Sequence, residues 1–341
     1  MAHDDLPSPY AALVAETPVT RSALMVRGGR TRLWHYGSRD APEHLVVLHG
    51  FRGDHHGLAP IVAHLLRDRP ELRVTVPDLP GFGASPPLPG TRHDIAGYAA
   101  WARVLVRKLA PRGDAVLAGH SFGSVVAAAA MTASPIARRL VLVNPIPRRP
   151  LSGWGILPVG ATAALHAMAR ILPEDAGTSL LRHPLLTRVA SLSMVRTSDR
   201  ALRRWIHEEH DRYFAGFATR SSLLESFRAS ITGSVREAAA GIETPTLLIG
   251  GAKDDLARVP DQKALADRFP NARLVLLDGV GHLTHYETPA EVAREIGAFL
   301  AQAGHVPQAG TAGIGPVVPG LLDAPAPEAP VVAAAPSEEE R

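Results

Sequence analysis

Ala115-Val116-Leu117-Ala118-Gly119-His120-Ser121-Phe122-Gly123-Ser124-Val125-Val126-Ala127-Ala128-Ala129-Ala130-Met131 reads as a short apolar strand that turns at once into an Ala/Val-rich helix. A Gly-x-Ser-x-Gly pattern recurs by chance. Between a strand and a helix, however, it has the context of a nucleophile elbow, with Ser121 held in a strained conformation at the turn. Gly119 and Gly123 lack the Cβ atoms that would collide where the two segments cross. The Phe122 N–H then lies at a helix N-terminus, aimed where negative charge would develop.

Outward from the elbow, apolar runs end in polar turns. Leu45-Val46-Val47-Leu48 leads into His49-Gly50-Phe51, and Val74-Thr75-Val76 leads into Pro77-Asp78-Leu79-Pro80-Gly81-Phe82-Gly83-Ala84-Ser85. After the elbow come Leu140-Val141-Leu142-Val143, then Thr246-Leu247-Leu248-Ile249 before Gly250-Gly251-Ala252-Lys253-Asp254. Arg273-Leu274-Val275-Leu276-Leu277 precedes Gly279-Val280-Gly281-His282. These landmarks, with Ser, Asp and His in that chain order, resemble the α/β-hydrolase superfamily over roughly residues 22–300. The resemblance is to its serine-nucleophile, esterase-like branch. It implies a mostly parallel central sheet flanked by helices, with a helical cap inserted after the sixth strand.

The pattern along the chain agrees. Ser22–Val26 and Thr31–Tyr36 read as an opening hairpin around Gly28-Gly29. Strand-like runs then alternate with helix-length segments at Leu58–Arg67, Ile95–Leu109, Phe122–Ala133, Asp261–Phe269 and Pro289–Leu300, which indicates a parallel sheet covered on both faces. Residues 1–20 are expected to be a lead-in, and residues 21–145 and 241–302 the core. In 146–240 the alternation stops, and Ala161–Leu172 and Ala201–Phe217 look helical; this is the expected cap. Residues 303–341, rich in Pro, Ala and Glu, show no periodic apolar face and are expected to be disordered.

Composition narrows the class. The chain has 341 residues, 46% hydrophobic, enough for a large core, and no cysteine, so disulfides, thiol nucleophiles and Cys-based metal sites are out. The first residues carry acids where a signal peptide needs bases, which fits a cytoplasmic protein. Residues 150–169 carry no Asp, Glu, Lys or Arg, but their prolines, glycines and His166 favour a loop and a buried helix over stable membrane insertion. The last 41 residues hold five acids against Arg341; of the total charge of +3, residues 1–300 therefore carry +7. The chain's positive residues are 33 scattered arginines, Arg341 among them, and only Lys108, Lys253 and Lys263, with no basic run. No nucleic-acid partner is expected, and the oligomeric state is unknown.

The residues supply a mechanism. A serine hydroxyl needs a base within hydrogen-bond reach, and His282 can take the Ser121 proton and return it to the leaving group. Asp254 would hold and stabilise the imidazolium, and the N–H groups of Phe51 and Phe122 would bind the oxyanion. The expected reaction is hydrolysis of a carboxylic ester, with an apolar acyl or aromatic small-molecule substrate, through an acyl-enzyme and without cofactor or metal. Trp154, Leu157 and Met168 are the expected pocket residues. Thioesterase or acyltransferase activity, C–C bond hydrolysis and cofactor-free perhydrolysis remain alternatives, as does a non-catalytic ligand-binding role. Serine at 121 speaks against the aspartate-dependent dehalogenases and epoxide hydrolases.

Rival residues have blander roles. His120 reads as structural, His285 as a pocket wall, Asp78 as a loop brace and Asp255 as a brace for Leu256–Pro260. Asn144 cannot serve as an acid. Asp54-His55-His56 invites a metal, but a solvated N-cap by Asp54 is the simpler reading.

Overall fold

The apolar runs pair into an eight-stranded sheet in the order β1-β2-β4-β3-β5-β6-β7-β8. The computed structural model describes residues 8–150, 156–214 and 216–302 of the chain, without the side chains of 156–159 and 161. The strands are β1 (Val19–Val26), β2 (Gly29–Tyr36), β3 (Glu43–Leu48), β4 (Leu72–Pro77), β5 (Val116–His120), β6 (Arg139–Val143), β7 (Thr246–Gly251) and β8 (Ala272–Leu277). β1 pairs with β2 and β2 with β4 antiparallel; every other ladder is parallel. The hairpin turns on Arg27 and Gly28, both at positive φ, and β1 starts at Val19, inside the expected lead-in.

Outside the sheet run α1 (Ala11–Ala15), α2 (Ala59–Asp68), α3 (Ile95–Leu109) and α4 (Phe122–Met131). Between β6 and β7 lie α5 (Ile156–Ile171), α6 (Glu174–Leu181), α7 (Pro184–Met194), α8 (Arg200–Tyr213), α9 (Arg220–Thr232) and α10 (Arg236–Ala239). After β7 come α11 (Val259–Ala266), α12 (Thr284–Glu287) and α13 (Pro289–Ala301).

Alternation along the central strands builds two cores. Val46, Leu48, Leu117, Leu140, Leu142 and Leu248 face α3 and α4 and join Trp101, Leu105 and Val126. Their neighbours Leu45, Val47, Val116, Val141, Leu247 and Ile249 face the other way, toward Leu65 of α2 and Ile296 and Phe299 of α13. All five residues of β5 and of β6 are buried, which is why these strands read as unbroken apolar runs. The sheet thus delivers the ends of β3, β5, β7 and β8 to one edge, where the polar turns sit.

The insertion departs from the sequence reading in two places. The segment expected to be helical through Phe217 stops at Tyr213, because Phe217 bridges to Phe82 and the Ala218 N–H bonds the Gly81 carbonyl at 3.0 Å. Tertiary pairing overrides the helical pattern there. The segment expected as a buried helix, α5, is amphipathic; among its described side chains only His166 and Ala169 are buried. Among the described residues no helix is long and apolar enough to cross a membrane. The expected tail at 303–341 lies outside the described residues.

Candidate active site

β5 enters the elbow and α4 leaves it, and Ser121 between them has φ +53° and ψ −118°. A non-glycine residue in that region stores on the order of 1–3 kcal/mol of strain. The crossing is tight: a Cβ on Gly119 would sit 2.2 Å from the Gly123 carbonyl oxygen, and one on Gly123 would sit 2.3 Å from that of Leu48. Both positions therefore require glycine.

Three loops converge on the elbow. Ser121 Oγ lies 2.8 Å from His282 Nε2, and His282 Nδ1 lies 2.8 Å from Asp254 Oδ2. A carboxylate can only accept, so Nδ1 carries the proton and Nε2 offers its lone pair to the serine hydroxyl. Asp254 is 2% exposed. Burial alone would raise its carboxyl, but His282, the Asn144 amide and the Leu256 N–H together hold it below the ordinary carboxylate value. Its Oδ1 also accepts from Leu256 and Ala257 at 2.9 and 3.2 Å. Asp254 thus performs the bracing expected of Asp255, whose exposed carboxylate pairs instead with Arg196 of the insertion.

The N–H groups of Phe51 and Phe122 have no hydrogen-bond partner among the described residues. The loop before Phe51 is fixed by His49, whose Nδ1–H donates to the Gly50 carbonyl at 2.8 Å while Nε2 accepts from the Leu79 N–H at 2.8 Å. Asp78 braces the facing loop as expected: Oδ1 accepts from the His55 N–H and ring at 3.0 Å, and Oδ2 from the Ala84 N–H at 2.7 Å.

Two contributors were missed in the sequence. Asn144, at φ +45°, donates to Asp254 Oδ2 at 3.1 Å and to the Gly281 carbonyl at 3.2 Å, and accepts from Thr284 Oγ1 at 2.5 Å. It cannot replace an acid, but it orients one. Arg52, also at positive φ, reaches from the Phe51 loop to the carbonyls of Phe214 and Leu181 at 2.9 and 2.7 Å, tying that loop to the ends of α8 and α6. Its only sequence signal was its place beside Phe51.

Of the three expected pocket residues, only Met168 has a described side chain. Trp154 and the side chain of Leu157 lie outside the described residues. Met168 is 45% exposed, because two residues from buried His166 it points the other way round α5. His166 itself stacks on Phe227, with ring centroids 3.6 Å apart, and Phe227 lies 5.8 Å from Phe51.

Asp54, His55 and His56 bring candidate ligand atoms within 4.8 Å of one another. These atoms already have partners, His55 with Asp78 and His56 with Asp54. The two rings lie 3.9 Å apart, tilted by 37°. Asp54 does cap the turn through the His56 N–H at 2.9 Å, although it is buried rather than solvated.

Behind the site His285 is buried against His120, with ring centroids 4.1 Å apart. Burial pushes His120 and His210 down to about 3, and His285 falls well below its ordinary value for the same reason. Unfolding returns these rings to about 6.5, so below that pH the unfolded chain takes up protons that the folded one refuses. The stability these rings contribute is full well above pH 6.5 and is lost progressively as the pH falls below it. Melting followed by circular dichroism should show Tm declining steadily from pH 7 to pH 5. A flat profile would mean that the rings are solvated.

The model for the alpha/beta hydrolase family matches residues 45–295. The chain is 27% identical over 257 residues to a pimeloyl-[acyl-carrier protein] methyl ester esterase of Xanthomonas campestris, covering 75% of this chain and 94% of that one. It is 29% identical over 256 residues to the enzyme of that name from Aromatoleum aromaticum, covering 73% and 94%. Among solved structures, an esterase from Exiguobacterium antarcticum superposes with a TM-score of 0.66 at 17% identity, over 82% of this chain and 99% of that one, a likeness of fold.

Proposed function

The chain belongs to the alpha/beta hydrolase family and is an enzyme, and we propose that it cleaves carboxylic esters with Ser121 as nucleophile, His282 as base and Asp254 as its partner. The observation that carries this reading is the unbroken line Ser121 Oγ, His282 Nε2, His282 Nδ1, Asp254 Oδ2, with both spacings at 2.8 Å. His282 accepts the serine proton as Oγ attacks the acyl carbon. The Phe51 and Phe122 N–H groups stabilise the oxyanion, and the alcohol departs with the proton that His282 returns. Water then repeats the sequence on the acyl-enzyme. Relatives named as methyl ester esterases support an oxygen ester over the other acyl derivatives.

Helices α5 to α9 act in this proposal as the cap, with Phe51, Phe227 and His166 offering an apolar and aromatic wall to the acyl group. A cysteine-free chain also fits the cytoplasm. The test combines a panel of p-nitrophenyl esters of increasing acyl length with a fluorophosphonate probe mapped by mass spectrometry. Turnover with a single adduct on Ser121 is the expected result. An adduct on another serine, or no turnover anywhere in the panel, would overturn the proposal.

A further inference from the structure

The loop that carries His282 is held by a group outside the line of catalytic contacts. Glu287, at the end of α12, is 8% exposed. Its Oε2 accepts from the Gly281 N–H at 3.2 Å, and its Oε1 accepts from the Arg196 and Thr197 N–H groups at 2.6 and 2.9 Å. One carboxylate therefore joins the residue before His282 to the segment that follows α7 in the insertion. That segment also touches the same loop directly: a Cβ on Gly281 would meet Arg196 Cγ at 2.6 Å and the Met194 carbonyl oxygen at 3.2 Å. It reaches the acid-bearing loop as well, through the Arg196–Asp255 ion pair.

We propose that Glu287 is a positioning residue that locks the His282 loop to the cap, so that the seating of the cap sets the alignment of His282 with Asp254 and Ser121. Gly281 is gripped from both sides, its N–H by Glu287 and its carbonyl by Asn144, which also holds Asp254. A buried carboxylate suits this place because three N–H groups face it and charge-assisted bonds are the strong ones. Glutamine cannot replace it: its amide nitrogen would confront N–H groups on one side. A misplacement of His282 by a fraction of an ångström acts on turnover more than on substrate capture.

The proposal rests on the serine-hydrolase reading above, and its test carries a readout independent of turnover. In the full-length protein the His282 Nδ1 proton, held by Asp254, should give a proton resonance downfield of the amide envelope that is absent from Asp254→Asn. Glu287→Gln should lose or broaden that resonance while keeping a dispersed methyl spectrum. Its kcat per fluorophosphonate-titrated site should fall roughly 10- to 100-fold, with KM within about threefold of the parent. Glu287→Asp keeps the charge but is one methylene too short to span both partners, and should fall between the two. Were Glu287→Gln to fold poorly, the same measurements on Glu287→Asp would decide. An unchanged resonance, or full turnover per titrated site in either variant, overturns the proposal. Persistence of the resonance does so even if the parent hydrolyses no ester, whereas failure of the parent to label with a normal resonance counts only against the serine reading.

Discussion

Replacing Ser121 by alanine should abolish fluorophosphonate labelling and lower p-nitrophenyl ester turnover by on the order of 10⁶. The size follows from how the parts depend on one another. Among the described residues His282 Nε2 has its 2.8 Å partner in Ser121 Oγ, so without the hydroxyl the base has nothing to activate at the carbonyl. What survives is the pair of unpartnered N–H groups at Phe51 and Phe122, together with substrate binding, which still accelerate attack by free water. A residual rate on the order of 10³ over the uncatalysed reaction is therefore expected, not zero. Labelling that persists in the variant, or a loss of only tenfold, would place the nucleophile elsewhere. Melting temperature separates this from unfolding, because Ser121 is a turn residue whose removal leaves both cores untouched.

Much of this site could be read before the fold was known, because each loop carries a local signature forced by packing. Gly119 and Gly123 are dictated by approaches of 2.2 and 2.3 Å, and such a constraint survives in a single sequence. Near-continuous apolar runs betrayed β3, β5, β6 and β7 because those strands are covered on both faces. The insertion was harder. Its helices α6 to α9 each bury only one stripe, so apolar residues there do not by themselves mark which face meets the site. Asn144, Arg52 and Glu287 were invisible in their roles for another reason. Each acts through backbone groups or side chains far away in sequence, over 110, 162 and 91 residues in turn, and no local pattern encodes such a bond.

Asp254→Asn should leave the fold intact and lower kcat by around 10⁴, whereas Asp255→Asn should cost little. The two residues adjoin, yet their surroundings differ completely. Asp254 is buried and divides its oxygens between His282 and Asn144 on one side and the Leu256 and Ala257 N–H groups on the other. An amide there would turn its NH₂ either toward His282 Nδ1, favouring the tautomer that points a proton at Ser121, or toward the two N–H groups it must satisfy. The first arrangement disables the base, which accounts for the expected 10⁴. The second keeps the tautomer but leaves buried donors unpaired, at about 1–3 kcal/mol, and would appear as a lowered Tm. Asp255, with its carboxylate 68% exposed and paired to Arg196, is a surface ion pair of the kind worth about 0–1 kcal/mol. Steady-state kinetics and melting curves on both variants give the comparison. Should Asp255→Asn be the crippled enzyme and Asp254→Asn the mild one, the acid would have to reach His282 from the surface, and the 2.8 Å contact would not be the working one.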